Sequence, residues 1–249
     1  TDQGKSVLVA ARRVLLDVDD LKRLTGGMAL GLEASVSLCV DALFPVSALV
    51  DLCARFAKEF PAVHLRVDTE VMSAVSARVL AGSATIGVVS QPGVAEGLER
   101  KALSGVRMLP VVGPRHPLAS VKGPVPVARL AEAVQIVLSE RNEAGVSDQG
   151  VLSPRTWRVA DLHTKHALLR ANLGWGNLPE HLAGADLRRK RLVRIQPEGW
   201  IEQDATVLLL AIHRRDTTFG PAHRWLMGHL AKVCVRDIGS RRPAHRSKR

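Results

Sequence analysis

The spacing of apolar residues changes repeatedly along the first hundred positions, and this change constrains the fold more than any other feature. Apolar and polar residues alternate over 30–38, as in a strand with one buried face. Over 46–60 the apolar residues recur every three or four positions, as on one side of a helix. Residues 63–69 and 84–90 again have strand patterns, and a helical pattern at 71–79 separates them. This β-α-β-α-β order predicts parallel strands joined by right-handed crossovers.

The second half of the chain repeats these patterns, which predicts a second α/β unit. We expect strands at 108–112, 135–139, 156–159 and 206–212, and helices at 127–133, 161–173 and 221–235. The glycine-rich segment 174–179 is interpreted as a turn that ends the second of these helices. The sequence therefore predicts two lobes, with residues 28–103 and 214–238 in the first and residues 106–212 in the second.

A helix with a narrow apolar seam is predicted at 6–25, before the first lobe. The seam follows the 4-3-4-3 spacing of coiled-coil helices and consists of Val7, Ala11, Val14, Val18 and Leu21. Residues 1–27 are therefore interpreted as a linker and dimerisation helix that pairs with a second copy of the chain. The alternative is an ordinary amphipathic helix that packs on its own domain.

Composition and charge argue against several classes of protein. No apolar run approaches the roughly 18 residues of a membrane helix, and the polar start of the chain shows no signal peptide. The three cysteines, Cys39, Cys53 and Cys234, form no CxxC pair and are typical of reduced thiols in a cytoplasmic protein. Lysines and arginines in the tail 241–249 supply much of the net charge of +11, and we expect this tail to be disordered.

Several short motifs resemble, in their order and spacing, those of the LysR family of transcriptional regulators. The early motifs are Ala11-Arg12-Arg13-Val14-Leu15, Phe56-Ala57-Lys58-Glu59-Phe60-Pro61 and Leu80-Ala81-Gly82. The later ones are Val111-Val112-Gly113-Pro114-Arg115-His116-Pro117-Leu118 and Leu173-Gly174-Trp175-Gly176-Asn177-Leu178-Pro179. Where the family commonly has an aspartate after the glycine of the third motif, this chain has Ala84 or Thr85.

This resemblance implies a two-lobed α/β effector domain at residues 28–240, similar to type 2 periplasmic binding proteins and preceded by the linker helix. It implies that a small-molecule effector binds between the lobes and that the chain forms dimers or tetramers. DNA would be contacted only through an N-terminal winged helix-turn-helix, which nothing before Thr1 supplies. We expect no cofactor, no bound metal, no catalytic residue and no membrane contact.

Candidate effector contacts follow from a general rule for open α/β sheets. Ligands bind beyond the carboxyl ends of the strands, where helix N-termini offer free N–H groups. In the first lobe these positions are Val40, Asp41, Thr69, Glu70 and Ser90, and in the second lobe they are Arg141, His163, Thr164, Trp175 and Asn177.

Three of these candidates have a second interpretation. Members of the family often have Ser or Thr where this chain has Val40-Asp41, and a carboxylate there would repel an acidic effector. Asp41 could instead cap a helix. Arg141 is the best cation for an anionic effector, although a surface ion pair is the alternative. Trp175 could stack on a ligand or lie in the core.

Other functions find less support in the sequence. Asp161, His163 and His166 suggest a metal site only weakly, because no cysteine or second histidine pair completes a coordination set. No nucleophile elbow, P-loop or GxGxxG sequence is present, so no enzyme class is favoured. A solute-binding protein of a transport system shares the fold and is the alternative function, although it would need a signal peptide. Effector-gated control of transcription is the function that the sequence favours.

Overall fold

The computed structural model describes residues 33–141, 147–200 and 205–239. The predicted linker helix at 1–27 and the predicted disordered tail at 241–249 lie outside these residues, so both stay predictions.

Strands and helices alternate along the described residues. The strands are β1 (Ser35–Asp41), β2 (His64–Glu70), β3 (Ile86–Ser90), β4 (Leu98–Val112), β5 (Gln135–Leu138), β6 (Thr156–Val159), β7 (Trp175–Pro179), β8 (Val193–Arg194) and β9 (Thr206–Arg214). The helices are α1 (Val46–Glu59), α2 (Ser73–Leu80), α3 (Val127–Glu132), α4 (Leu162–Arg170), α5 (Glu180–Arg188) and α6 (Pro221–Gly239).

The strands are hydrogen-bonded in the order β2-β1-β3-β9-β4-β7-β5-β6, with β8 beside β4. β1 is parallel to both β2 and β3, as the β-α-β-α-β pattern predicts. β4 is long enough to join the two parts of this strand order. Its first part pairs antiparallel with β9, and its second part, Met108–Val112, pairs antiparallel with β7. We call β1, β2, β3, β9 and the first part of β4 the first half-sheet, and the second part of β4 with β5 to β8 the second half-sheet.

The long strands β4 and β9 run through the region where the sequence predicts the border between two lobes. Residues 209–212 of β9, which the prediction assigned to the second lobe, pair with β3 of the first half-sheet. The pairing of β4 with β9 has a register shift between Ala102 and Ser104. Helix α6 packs on α1, where the ring of Trp225 meets those of Phe56 and Phe60 edge-on at centroid distances of 5.9 and 5.8 Å. The division at 103/106 and 212/214 stays a prediction, since both crossing strands continue through it.

Several elements differ from the sequence prediction. The strand predicted at 108–112 begins earlier, at Leu98, and the short strand β8 was not predicted. Segment 174–179 was interpreted as a turn, but 175–179 is the strand β7, whose residues are all buried and which pairs with β4 and β5. The helix α5 directly after it was not predicted. The helix predicted at 161–173 is shorter, because Asp161 caps its start through the N–H of Thr164 (2.6 Å) and Asn172 leaves the helical conformation with φ +65°.

The interior is apolar, and its cysteines are free thiols. The largest cluster of buried side chains includes Leu38, Leu52, Phe56 and Leu226. Cys39 and Cys234 are buried and Cys53 is half-buried. Burial raises the pKa of Cys39 to about 12, which keeps this thiol protonated and unreactive. None of the helices in the described part of the chain is long and apolar enough to cross a membrane.

Candidate functional site

A cavity with a volume of about 610 Å³ lies beyond the carboxyl ends of β1, β3 and β5, and residues of both half-sheets line it. This volume is typical of a site for a small molecule. Its apolar lining consists of Leu43, Val71, Met72, Pro92, Met108, Val137, Leu138, Trp200, Ala205, Val207 and Leu208. Its polar lining includes Asp41, Ser90, Gln91, Gln135, Gln149, Lys165, Asn177 and Thr206. We call this space the central cavity.

The carboxylate of Asp41, at the end of β1, is buried and accepts four hydrogen bonds. Oδ1 accepts from the N–H of Leu43 at 2.9 Å. Oδ2 accepts from the hydroxyl of Ser90 at 2.7 Å and from the N–H groups of Ser90 and Met72, both at 3.2 Å. Burial raises the pKa of the Asp41 carboxyl, and the hydrogen bonds from Leu43, Ser90 and Met72 act against that rise. Asp41 therefore occupies the backbone donors that would otherwise be free to receive an anionic ligand at this turn.

Asp41 does not cap the helix that follows it. That helix, α1, begins after Pro45 without a hydrogen bond from a capping side chain. The Asp41 carboxylate instead accepts a hydrogen bond from the backbone N–H of Met72. Met72 has φ +45°, a conformation that residues with a Cβ rarely adopt. Gly93 packs closely on the same residue, since a Cβ at position 93 would lie 2.3 Å from the carbonyl carbon of Met72. The wall of the central cavity thus contains a strained residue held by Asp41.

Lys165 is the cation of the central cavity. Helix α4 places it on its buried face, with only 5% of its surface exposed. Among the described residues, none forms a hydrogen bond or an ion pair with its ammonium group; Asp148 attracts it electrostatically but forms an ion pair with Arg158 at 2.8 Å. Burial lowers the pKa of Lys165 to about 8, and Asp148 acts weakly against this.

The strand β7 supplies a second unsatisfied polar group and room for the lysine. Oδ1 of Asn177 is buried and has no hydrogen-bond partner among the described residues. The neighbouring Gly176 allows β7 to approach β5, since a Cβ there would lie 2.6 Å from the carbonyl oxygen of Ile136 and 3.3 Å from Cε of Lys165. Asn177 and Lys165 thus line the same cavity, and each has a polar group without a hydrogen-bond partner among the described residues.

Gln135, by contrast, has a structural role in the cavity wall. Its Oε1 accepts hydrogen bonds from the N–H groups of Leu152 and Ser153 at 2.8 and 2.9 Å. Its Nε2 donates to the carbonyl oxygen of Gly150 at 2.7 Å. The side chain thereby fastens the segment that contains Gly150 against β5.

A smaller pocket of about 190 Å³, which we call the side pocket, also has lining residues from both half-sheets. Thr69 and Glu70 line it from the first half-sheet, and Glu140 and Arg141 line it from the second. Glu140 accepts hydrogen bonds from the N–H of Ser73 at 2.6 Å and from its hydroxyl at 2.7 Å. This contact connects the end of β5 to the first turn of α2.

The structure divides the ten candidate residues into three groups. Asp41, Ser90 and Asn177 line the central cavity, and Thr69, Glu70 and Arg141 line the side pocket. The remaining four, Val40, His163, Thr164 and Trp175, are not among the lining residues of these two spaces. Val40 and Trp175 are buried in the core, whereas His163 and Thr164 are exposed on the first turn of α4.

Asp161 and His166, two of the residues that weakly suggest a metal site, each contact a different part of the chain. Nε2 of His166 lies 2.7 Å from Oδ2 of Asp186, and Asp161 is the N-cap of α4. Within the described residues, no group of three or more His, Cys, Asp or Glu side chains is arranged to hold a metal ion.

Lys165 was not among the candidates, although the sequence contains a signal for it. Leu162, His166, Leu169 and Leu173 recur at helical spacing, which predicts them as the inner face of this helix. In the structure Leu173 is 46% exposed, and Lys165 takes the inner position beside Leu162 and Leu169. A lysine three residues after one core leucine and four before another is the pattern that marks it. Such a lysine usually extends to the surface, which is why the pattern alone is weak.

Comparisons with known proteins point to one family. The family model of the LysR substrate binding domain matches residues 30–235. The uncharacterized HTH-type transcriptional regulator YeeY of Escherichia coli strain K12 is 28% identical over 219 residues, covering 82% of this chain and 71% of that protein.

Solved structures show the same fold at low sequence identity. The regulatory domain of MetR, a LysR family regulator from N. meningitidis, has a TM-score of 0.63 at 16% identity and covers 82% of this chain and 95% of that one. The regulatory domain of Synechocystis PCC6803 CcmR, in complex with 2-PG, has a TM-score of 0.65 at 13% identity and covers 81% and 98%. These likenesses confirm the predicted two-lobed α/β fold similar to periplasmic binding proteins.

Proposed function

This chain belongs to the LysR substrate-binding-domain family of transcriptional regulators, and we propose that its effector binds in the central cavity. The observation that carries the proposal is the composition of the cavity wall. Buried polar residues of both half-sheets line it, with Asp41 and Ser90 on the first and Asn177 on the second, together with Lys165 of helix α4. The rest of the lining is mostly apolar, as in sites that enclose small molecules.

A ligand that touches both half-sheets can act on their relative arrangement. A ligand that binds one arrangement more tightly than another shifts the population of molecules towards the arrangement that it binds more tightly. The size of the shift is limited by the difference between the two binding free energies. We propose that this shift is the signal that the regulator passes to DNA. The contact with DNA itself would be made by a helix-turn-helix segment outside residues 30–235.

The remaining properties are proposed from the family and the sequence. We propose that the chain assembles as a dimer or tetramer through the apolar seam at residues 7–21 and works in the cytoplasm. We also propose that it acts by binding its effector rather than by catalysis. The names of the matching curated proteins support this, since they are transcriptional regulators and not enzymes or transport proteins.

The proposal is tested by closing the central cavity. Leu208 lines the cavity and is partly exposed, so Leu208→Trp would fill space there without the cost of a fully buried replacement. Val127→Trp is the matched control, because Val127 is 53% exposed and lies outside the cavity lining. In a thermal-shift screen of small metabolites, we expect hits that stabilise the wild type and the control but not Leu208→Trp. Hits that stabilise all three proteins equally would place the effector site elsewhere.

A further inference from the structure

We propose that the effector is a monoanionic organic acid with an apolar body, and that its acid group binds the ammonium of Lys165 inside the central cavity. This rests on the proposed function, because it assigns a chemical class to the ligand of the same site. Two polar side chains without a hydrogen-bond partner among the described residues, Lys165 on α4 and Asn177 on β7, are both at least nine-tenths buried and carry the argument.

The first argument concerns the charge of Lys165. A buried ammonium is costly unless an anion and hydrogen-bond acceptors accompany it. No described residue supplies such an anion, since the attracting carboxylate of Asp148 already pairs with Arg158. The lowered pKa of the lysine has the same cause, because burial without a partner disfavours the charged form. An acid group bound at Nζ would supply the missing charge and acceptors together.

The second argument concerns the opposite wall and limits the ligand to one negative charge. There the carboxylate of Asp41 already accepts the hydrogen bonds of Leu43, Met72 and Ser90. A second acid group on the ligand would find these donors occupied and would approach another carboxylate. The apolar lining between the two walls, including Val137 and Leu208, favours a hydrocarbon body instead.

The third argument concerns Asn177, whose Oδ1 has no donor among the residues that the structure describes. Asn177 lines the same cavity as Lys165, but Oδ1 itself is buried, so a hydroxyl or amino group near the acid group of the ligand would donate to this oxygen once the Asn177 amide turns towards the cavity. We therefore expect a 2-hydroxy acid to bind more tightly than the acid without the hydroxyl.

The experiment compares acids, neutral amides and diacids that share one apolar body. The probes are hexanoate, hexanamide and adipate, and 3-phenylpropanoate, 3-phenylpropanamide and phenylsuccinate, with 3-phenyllactate for the hydroxyl. Isothermal titration calorimetry at pH 7 gives the dissociation constants. We expect the monoacid of each series to bind about tenfold or more tightly than its amide and its diacid.

The role of Lys165 is tested with Lys165→Met, which keeps an unbranched side chain that is one atom shorter and removes the charge. The control Lys122→Met removes the same charge from an exposed position outside the cavity lining. We expect Lys165→Met alone to lose the preference for acid over amide. At pH 8.5 the wild type should also take up a proton on binding the acid, measured as a dependence of the binding heat on the buffer, and Lys165→Met should not.

The outcomes separate this proposal from the proposed function. If amides bind as well as acids and Leu208→Trp abolishes both, the cavity is the effector site but the assigned ligand class is wrong. If none of the monoacids binds more tightly than about 1 mM, the assigned class is also wrong. Glu143, Glu202 and Asp204 lie outside the described residues, and each is replaced in turn by its amide. If one of these three substitutions changes the pH at which Lys165 loses its proton, and ligand binding does not, then Lys165 forms an ion pair with that residue of the chain, and the proposed ion pair with the ligand is wrong.

Discussion

The carboxylate of Glu140 accepts two hydrogen bonds from Ser73, one from the backbone N–H and one from the hydroxyl, at 2.6 and 2.7 Å. Glu140 follows β5 in the second half-sheet, whereas Ser73 opens α2, which packs on the first. The positive end of the α2 dipole adds to the attraction for the carboxylate. This pair therefore links the two half-sheets beside the side pocket.

We expect Glu140→Gln to weaken this link and to favour a more open arrangement of the half-sheets. The amide loses the charge that strengthens both hydrogen bonds, which corresponds to about 1 kcal/mol at this half-buried position. Small-angle scattering should show a larger radius of gyration for the variant. Glu132→Gln, an exposed change at the end of α3, is the control. Identical scattering from all three proteins would show that the pair does not hold the half-sheets together.

A second prediction concerns Asp41. Asp41→Asn places an NH₂ group where one oxygen now accepts N–H and hydroxyl donors, so we expect the free energy of unfolding to fall by about 3 kcal/mol or more. Ser90→Ala removes only the hydroxyl donor and should cost about 1 kcal/mol. Urea unfolding followed by circular dichroism measures both. Equal losses for the two variants would contradict the structural role of the Asp41 carboxylate.

A third prediction concerns stability against pH. Since the pKa of Lys165 falls from 10.5 to about 8 on folding, the unfolded chain binds this proton between those two values while the folded chain does not. The contribution of Lys165 to the free energy of unfolding therefore rises with pH in this window and is constant below it. We expect Lys165→Met to be more stable than the wild type at pH 7 by about 3 kcal/mol at most, and this excess to shrink towards pH 10.

The same denaturation series on Lys122→Met checks that the effect belongs to the buried position. Its difference from the wild type should be small at every pH, because Lys122 is exposed. A Lys165→Met excess that stays constant from pH 7 to pH 10 would contradict the assigned titration.

A fourth prediction concerns the segment before the described residues. The seam Val7, Ala11, Val14, Val18 and Leu21 predicts self-association, so removal of residues 1–25 should weaken it without unfolding the rest. Analytical ultracentrifugation of the intact and shortened chains measures this. An intact chain that is monomeric at tens of micromolar would rule out the predicted assembly, and a dimer unaffected by the deletion would assign the contact to the remaining residues.

Much of the fold could be predicted because apolar periodicity reports burial on one face. The strand β2 has one more deeply buried face with a period of two, and the helices α1 and α2 have one with a period of three to four. All three lie within a few residues of their predicted positions. β7 could not be found by this route, since all of its residues are buried and the glycines at 174 and 176 are typical of a turn. A strand with two buried faces has no alternation to detect.

The site was only partly predictable for a similar reason. Asp41 and Ser90 stand at strand ends, a position that sequence order reveals, and both line the central cavity. Lys165 is defined by what surrounds its ammonium group, and the pairing of Glu140 with Ser73 depends on how two distant parts of the chain pack. The spacing of Lys165 between two core leucines is only a weak signal for its burial, and no local spacing indicates that Glu140 contacts Ser73.

The register shift between Ala102 and Ser104 has a mechanical consequence. Strands β4 and β9 are hydrogen-bonded on both sides of it, so most of this antiparallel ribbon is stiff against bending. A bulge interrupts the ladder and increases local twist, which makes it the most compliant point of the ribbon. We expect force applied by a ligand between the half-sheets to appear there as torsion about the long axis of β4, which turns the second half-sheet, together with the part of the β4–β9 ribbon beyond the shift, against the rest of the first half-sheet.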